Sequence, residues 1–153
     1  MPIHPNAVVH ENAKIHNTAD VGPFVTIEED VEIAENCVVM PGAVIRAHTK
    51  LHRGVRIHSH AVIGDDPQYV GFDPTLNTGV EIGEGSEIRE YATINRSIYE
   101  GRNTTIGKGV MLMISAHLGH DCTIGDGVVI ANNTMLGGHV EVGEKAFISA
   151  NVV

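Results

Sequence analysis

A branched aliphatic residue recurs at every sixth position along the first part of the chain, and this period limits what the chain can fold into. An α-helix needs apolar residues about 3.6 positions apart, and a long half-buried strand needs strict alternation, so neither explains a period of six. Short strands joined by turns do fit, and hexapeptide repeats of this kind form parallel β-helices. The members of the series are Ile3, Val9, Ile15, Val21, Ile27, Ile33, Val39, Ile45, Leu51, Ile57 and Ile63.

A second series of small or β-branched residues precedes the first by two positions. Each hexad therefore contributes one large and one small inward side chain, with polar residues between them. Three hexads close one triangular coil of roughly 18 residues, so we predict an all-β parallel β-helix of about seven to eight coils. The second series is Ala7, Ala13, Ala19, Val25, Val31, Cys37, Ala43, Thr49, Val55 and Ala61.

Two interruptions break the period, and we predict that they are loops that leave the coil near residues 64–79 and 97–104. Residues 64–75 have turn chemistry and no hexad pattern, and the period resumes at Ile82. Glu100 then falls at an inward position, which a closed coil would not bury. The period continues from Ile106 to the end, so residues 1–153 are predicted to form one β-helical domain, with Met1 and Pro2 as a modest cap.

Composition and charge exclude several classes of function. Aromatic residues make up only 4% of the chain, which suits many similar strands better than a conventional core. The net charge of −9 argues against a nucleic-acid partner. No apolar run approaches the roughly 20 residues that span a bilayer, and no signal peptide is visible. Cys37 and Cys122 lie far apart and not at the spacing of metal ligands, so we predict a reduced, cytoplasmic protein. Because no apolar run is long enough, we also predict no membrane insertion.

One dense polar cluster stands out in the second half of the chain. His117 and His120 flank the inward Leu118 and are predicted to face outward, while Asp121 and His139 are eighteen residues apart and fall on adjacent coils about 4.8 Å apart. A histidine beside a carboxylate is a general-base arrangement, because the acid fixes the imidazole tautomer and supports its charge. Gly138, just before His139, would let a backbone N–H approach a reacting oxyanion.

These residues resemble a known family. The segments 113–125 and 131–140, with 88–96 and the opening 3–7, are similar to the acyl-carrier-protein-dependent UDP-N-acetylglucosamine O-acyltransferases of lipid A biosynthesis, within the hexapeptide-repeat transferases. The resemblance covers the whole chain. It implies a left-handed coil, a homotrimer with sites between neighbouring subunits, an acyl carrier protein as partner, and no metal or other cofactor.

The resemblance also implies roles for individual residues. His120 would be the general base that takes the proton from the 3-hydroxyl of the nucleotide sugar, with Asp121 orienting it. The backbone N–H of Gly138 would stabilise the oxyanion formed at the thioester carbonyl of a 3-hydroxyacyl donor. His117 and His139 would line the nucleotide-sugar site.

The first predicted loop departs from the family. The family has an acid and a lysine at the positions of Tyr69 and Gly71. Two readings follow: the acceptor differs, or it is held by another acid of the loop. Gln68, Asp66 and Tyr69 are therefore candidate substrate contacts, although residues 64–67 are most simply a turn, with substrate contact as the alternative.

Three readings of the function remain open. The family continues with further coils and a helical C-terminal domain that this sequence does not include, so we expect a truncated or shortened relative. An acyltransferase is the leading reading. The first alternative is an inactive trimeric scaffold. The second is a zinc enzyme of the γ-carbonic-anhydrase kind, for which the His-x2-His spacing of His117 and His120 is not typical.

Overall fold

The chain folds as a left-handed parallel β-helix in a computed structural model that describes residues 3–153. The predicted cap at residues 1–2 lies outside the described residues. Three parallel sheets of seven strands each form the faces of a triangular prism, and successive strands lie on successive faces. Seven coils result, with an additional bridge between Ile3 and Val21 before the first full strand. The predicted fold class is confirmed.

The strands are two to four residues long and follow the sequence period. The twenty-one strands within the described residues are β1 (Val8–Val9), β2 (Lys14–Ile15), β3 (Asp20–Val21), β4 (Thr26–Ile27), β5 (Glu32–Ile33), β6 (Val38–Val39), β7 (Val44–Ile45), β8 (Lys50–Leu51), β9 (Arg56–Ile57), β10 (Val62–Asp65), β11 (Gly79–Ile82), β12 (Glu87–Ile88), β13 (Thr93–Asn95), β14 (Asn103–Ile106), β15 (Met111–Leu112), β16 (His117–Leu118), β17 (Thr123–Ile124), β18 (Val129–Ile130), β19 (Met135–Leu136), β20 (Glu141–Val142) and β21 (Phe147–Ile148).

Each strand pairs with the strand one coil later, and the register keeps inward residues in columns. Ile27 pairs with Ile45 and Ile45 with Ile63, so aliphatic side chains of one column stack on one another. The small inward positions are equally buried, and Cys37 and Cys122 are fully enclosed free thiols. Burial raises the pKa of both thiols, so they stay protonated and fill space in the core.

Two segments lie outside the coil, at 66–78 between β10 and β11 and at 96–102 between β13 and β14. The first loop is held by Arg96, whose side chain is only 9% exposed. Its guanidinium donates to the carbonyl oxygens of Pro74 and Leu76, both at 2.9 Å, and to the carboxylate of Asp66. It also lies 5.0 Å from the ring centre of Phe72. Arg96 therefore joins the second loop to the first.

Truncation of one inward residue is expected to cost far more stability than truncation of an outward one. Leu112 is fully buried, so Leu112→Ala should lower the free energy of unfolding by about 2–5 kcal/mol through lost burial and a residual cavity. Val8 is 66% exposed, and Val8→Ala should change it by less than about 0.5 kcal/mol. Chemical denaturation of both variants measures this, and equal losses would contradict the assignment of the inward columns.

Candidate functional site

The candidate site lies at the corner that follows β16, where His120 and Asp121 form the turn into β17. Asp121 adopts a positive φ of 58°, as the second turn residue does at most other corners of the helix. A short polar residue tolerates this left-handed conformation better than a branched one. The backbone N–H of Asp121 donates to the hydroxyl of the buried Thr104 at 2.8 Å, which fixes the corner to the core.

The carboxylate of Asp121 is enclosed by donors, and its side chain is 9% exposed. It accepts hydrogen bonds from the hydroxyl of the buried Ser97 and from the backbone N–H of Ile98, the latter at 3.1 Å. Burial by itself raises the pKa of Asp121, but the hydrogen bonds from Ser97, His120 and Ile98 outweigh burial and hold the pKa below its usual range. Asp121 is therefore ionised at neutral pH.

His120 is oriented by this carboxylate. Its Nδ1 lies 2.9 Å from Oδ2 of Asp121. An ionised carboxylate can only accept, so Nδ1 carries the hydrogen and Nε2 of the neutral ring is left as a base. Two rings lie edge-on to the imidazole of His120. The ring centroid of Tyr69 is 5.7 Å from the His120 centroid, and that of His139 is 4.9 Å from it.

Gly138 lies beside the base, on the next coil. A Cβ built on this residue would come within 2.5 Å of both Cε1 and Nε2 of His120, so only glycine leaves room for the ring. Its backbone N–H has no acceptor among the described residues. It occupies the first turn position of its hexad. Other hexads have Pro5, Pro23 and Pro41 at this position, because the hydrogen bonds of the coil use no backbone N–H there. A free amide thus lies next to a histidine base.

His117 occupies the same face, on β16. Its Nδ1 lies 2.8 Å from the hydroxyl of Thr93, its neighbour in the register with β13. Burial lowers the pKa of His117, so the ring is neutral at neutral pH. The four residues predicted from spacing to converge, His117, His120, Asp121 and His139, do form one patch.

The first loop brings two of its three candidate residues to this patch. Gln68 lines a cavity of about 290 Å³ together with His117 and His120, and Tyr69 contacts the His120 ring. The carboxylate of Asp66 instead pairs with Arg96 at 2.8 Å, and Asp66 lines a different cavity. A substrate role for Asp66 stays a prediction.

Four site residues come from strand ends and loops that the spacing argument did not single out. Ser97 and Ile98 bind Asp121, Tyr99 lies 5.8 Å from the His139 ring centre, and Asn95 lines the cavity. Asn95 ends a strand, and the other three belong to the second loop. The hexad period says nothing about where such a loop folds back, so only the break in the period at Glu100 marked the segment.

The family described as bacterial transferase hexapeptide (six repeats) matches residues 30–65 and 103–138. Among proteins of known name, the chain is 36% identical over 99 residues to the acyl-[acyl-carrier-protein]–UDP-N-acetylglucosamine O-acyltransferase of Campylobacter concisus, and 39% identical over 99 residues to that of Chlamydia caviae. Each match covers 65% of this chain but only 38% and 35% of those two relatives. The predicted resemblance is confirmed.

Solved structures extend the likeness over nearly the whole chain. The UDP-N-acetylglucosamine acyltransferase of Francisella novicida superposes with a TM-score of 0.94 at 37% identity, over 97% of this chain and 54% of that one. The enzyme of Bacteroides fragilis gives a TM-score of 0.93 at 37% identity, over 97% of this chain and 58% of that one. The chain therefore spans little more than half the length of these relatives.

Substitution at Gly138 is expected to displace the base. In Gly138→Ala the added methyl group meets the His120 ring, so the hydrogen bond between Nδ1 and Asp121 should break or lengthen. Gly137→Ala is the matched control, because a Cβ at Gly137 meets nothing within 4 Å. The downfield imidazole N–H resonance of His120 measures this: we expect it to shift or vanish in Gly138→Ala only. Unchanged resonances in both variants would contradict the close approach.

Proposed function

We propose that the chain is an O-acyltransferase, from its likeness to the bacterial hexapeptide-repeat transferases and from the geometry of its site. It moves a 3-hydroxyacyl group from acyl carrier protein to the 3-hydroxyl of UDP-N-acetylglucosamine or a related nucleotide sugar. This reaction is the first step of lipid A synthesis. The observation that carries the proposal is an oriented histidine base, His120 on Asp121, beside the free amide of Gly138.

The chemistry follows from these three residues. Nε2 of His120 removes the proton of the sugar hydroxyl as its oxygen attacks the thioester carbonyl. The negative charge moves to the carbonyl oxygen, where the N–H of Gly138 donates to it. When the intermediate collapses, the C–S bond breaks and the carrier thiolate takes the proton from the imidazolium. The products are the ester and the free thiol, and the ionised Asp121 stabilises the transient charge on His120.

The remaining candidate residues are proposed to hold the nucleotide sugar. His117 is neutral, and with Nδ1 on Thr93 its Nε2 is available to a ligand. His139 is exposed, and Gln68 and Tyr69 border the base. Asp66 is proposed as a further substrate contact of the first loop, which its carboxylate also ties to Arg96.

We propose that neighbouring copies complete the site in a homotrimer. Met135 is 44% exposed on the same face as His117, and Gly138 and His139 are also exposed, so the site is open on one side. A neighbouring copy would cover this open side and the exposed Met135. The carrier-bound donor and the two free thiols agree with a cytoplasmic location. The described residues include no helix able to cross a membrane.

Zinc-dependent hydration is the second candidate, because one observation favours it. Within residues 3–153 the ligand atoms of His120, Asp121 and His139 all lie within 4.8 Å of one another. The donor set fits this role poorly. A γ-carbonic-anhydrase site needs three imidazole nitrogens, and Asp121 already binds Ser97, Ile98 and His120. The acyltransferase proposal therefore has the better support.

Removal of the base is expected to abolish transfer. His120→Ala should lower the rate of transfer from acyl carrier thioester to UDP-N-acetylglucosamine by about 10²–10⁴-fold, the usual contribution of a positioned general base. His16→Ala, which removes an exposed histidine on an early coil, should leave the rate unchanged. Product formation from radiolabelled nucleotide sugar is the measurement. If the chain and a C-terminally extended form both lack His120-dependent transfer, the scaffold alternative replaces the proposal.

Chelation separates the two enzyme readings. We expect exhaustive treatment with EDTA or dipicolinate to leave acyl transfer within about twofold of the untreated rate, because the step uses a proton acceptor and an amide rather than a bound ion. Elemental analysis of the purified protein accompanies the assay. About one zinc per chain, removed together with the activity, would overturn the acyltransferase mechanism.

A further inference from the structure

Asn95 holds a buried hydrogen-bond acceptor that nothing in the described chain uses. The residue ends β13 and is 6% exposed. Its Nδ2 donates to the backbone carbonyl oxygen of Asp66 at 3.0 Å and to that of Asp65 at 3.4 Å. These two acceptors fix which end of the amide is nitrogen, since an oxygen there would face two carbonyls. Oδ1 is therefore an acceptor, and no hydrogen bond among residues 3–153 reaches it.

A buried polar atom without a partner is uncommon in a folded protein, and each instance calls for a cause. Thr49 and Thr78 hold the other two such oxygens among the described residues. Neither of them borders the cavity at His120, whereas Asn95 does. Asn95 is thus the residue with an orphaned oxygen that borders the candidate site.

The surface next to Asn95 is bare of side chains. The register of β13 with β16 puts Gly119 beside Asn95, and the register of β16 with β19 puts Gly137 beside Gly119. A Cβ at Gly119 would lie 2.7 Å from backbone atoms of Gly137 and Gly138, so Gly119 accepts no larger residue without a shift of the backbone. Both glycines line the same cavity as Asn95. A ligand can therefore lie against the backbone there, with Asn95 at one end and the free amide of Gly138 at the other.

We propose that Oδ1 of Asn95 accepts a hydrogen bond from a neutral donor group of the substrate and selects for substrates that have it. This inference rests on the proposed function and names a residue that determines the specificity of the same site. Two donors have the required chemistry, the hydroxyl of a 3-hydroxyacyl chain and the amide N–H of an N-acetyl sugar. A site built around a buried acceptor discriminates against an analogue without the donor, because the acceptor is then left unpaired.

The test is a pair of binding comparisons by titration calorimetry on the full chain. One pair is 3-hydroxyacyl-pantetheine against the unsubstituted acyl-pantetheine of the same length. The other is UDP-N-acetylglucosamine against UDP-glucose, which lacks the amide. We expect the wild-type chain to prefer the donor-bearing member of one pair by about tenfold, the scale of one hydrogen bond. The preferred pair identifies the source of the donor.

Two variants separate recognition from structure. Asn95→Leu removes the acceptor at similar volume and should abolish the preference while leaving the weaker ligand of that pair within about twofold. Asn95→Gln keeps both the amide donor and the amide acceptor and should retain the preference. A purely structural role for Asn95 would weaken both members of the pair alike and leave their ratio unchanged.

The inference is overturned if the wild-type chain binds both members of each pair equally, if it binds none of the four, or if Asn95→Leu keeps the wild-type ratio. The wild-type ratios and Asn95→Gln decide the matter even where Asn95→Leu does not fold. Because binding is measured without turnover, failure of acyl transfer in the His120 assay and failure of this inference are separate results.

Discussion

Backbone hydrogen bonds between equivalent hexads of successive coils are the interaction on which the rest of the structure depends. They hold strands of two to four residues that could not be stable alone, and they bring every inward aliphatic onto another one coil away. The same register brings Gly138 next to His120, although the two are eighteen residues apart. Core and candidate site are therefore consequences of one repeat. A slip of one residue in the strand register would move the inward side chains to the outer face and the site residues to the inner one.

The two loops are where the chain departs from the repeat, and they supply what the repeat cannot. The second loop gives Asp121 two of its donors, Ser97 and Ile98, and these help hold its pKa below the usual range despite burial. The first loop puts Tyr69 against the base. Arg96 ties the first loop down through two carbonyl oxygens and a carboxylate, so this positioning does not rely on exposed contacts alone.

Much of this architecture could be predicted from the chain because a period of six is a local signal repeated many times. The inward columns, the enclosed cysteines and the convergence of His117, His120, Asp121 and His139 all follow from counting along the chain. The other site residues could not be predicted in this way, since neither Asn95 at the end of β13 nor Ser97 in the second loop was marked by the period. The ion pair of Asp66 with Arg96 shows the same limit, since no spacing along the chain indicates it.

The sequence by itself determined the β-helix, its inward columns and the place of the histidine patch, because each depends on residues at fixed separations. Only the tertiary structure decided which groups are satisfied and which are free. It shows that Nδ1 of His120 is bound to Asp121 and that, within residues 3–153, the amide of Gly138 has no acceptor and Oδ1 of Asn95 has no donor. The physical reason is that hydrogen-bond satisfaction depends on every neighbour in space, and at this site those neighbours come from three coils and two loops.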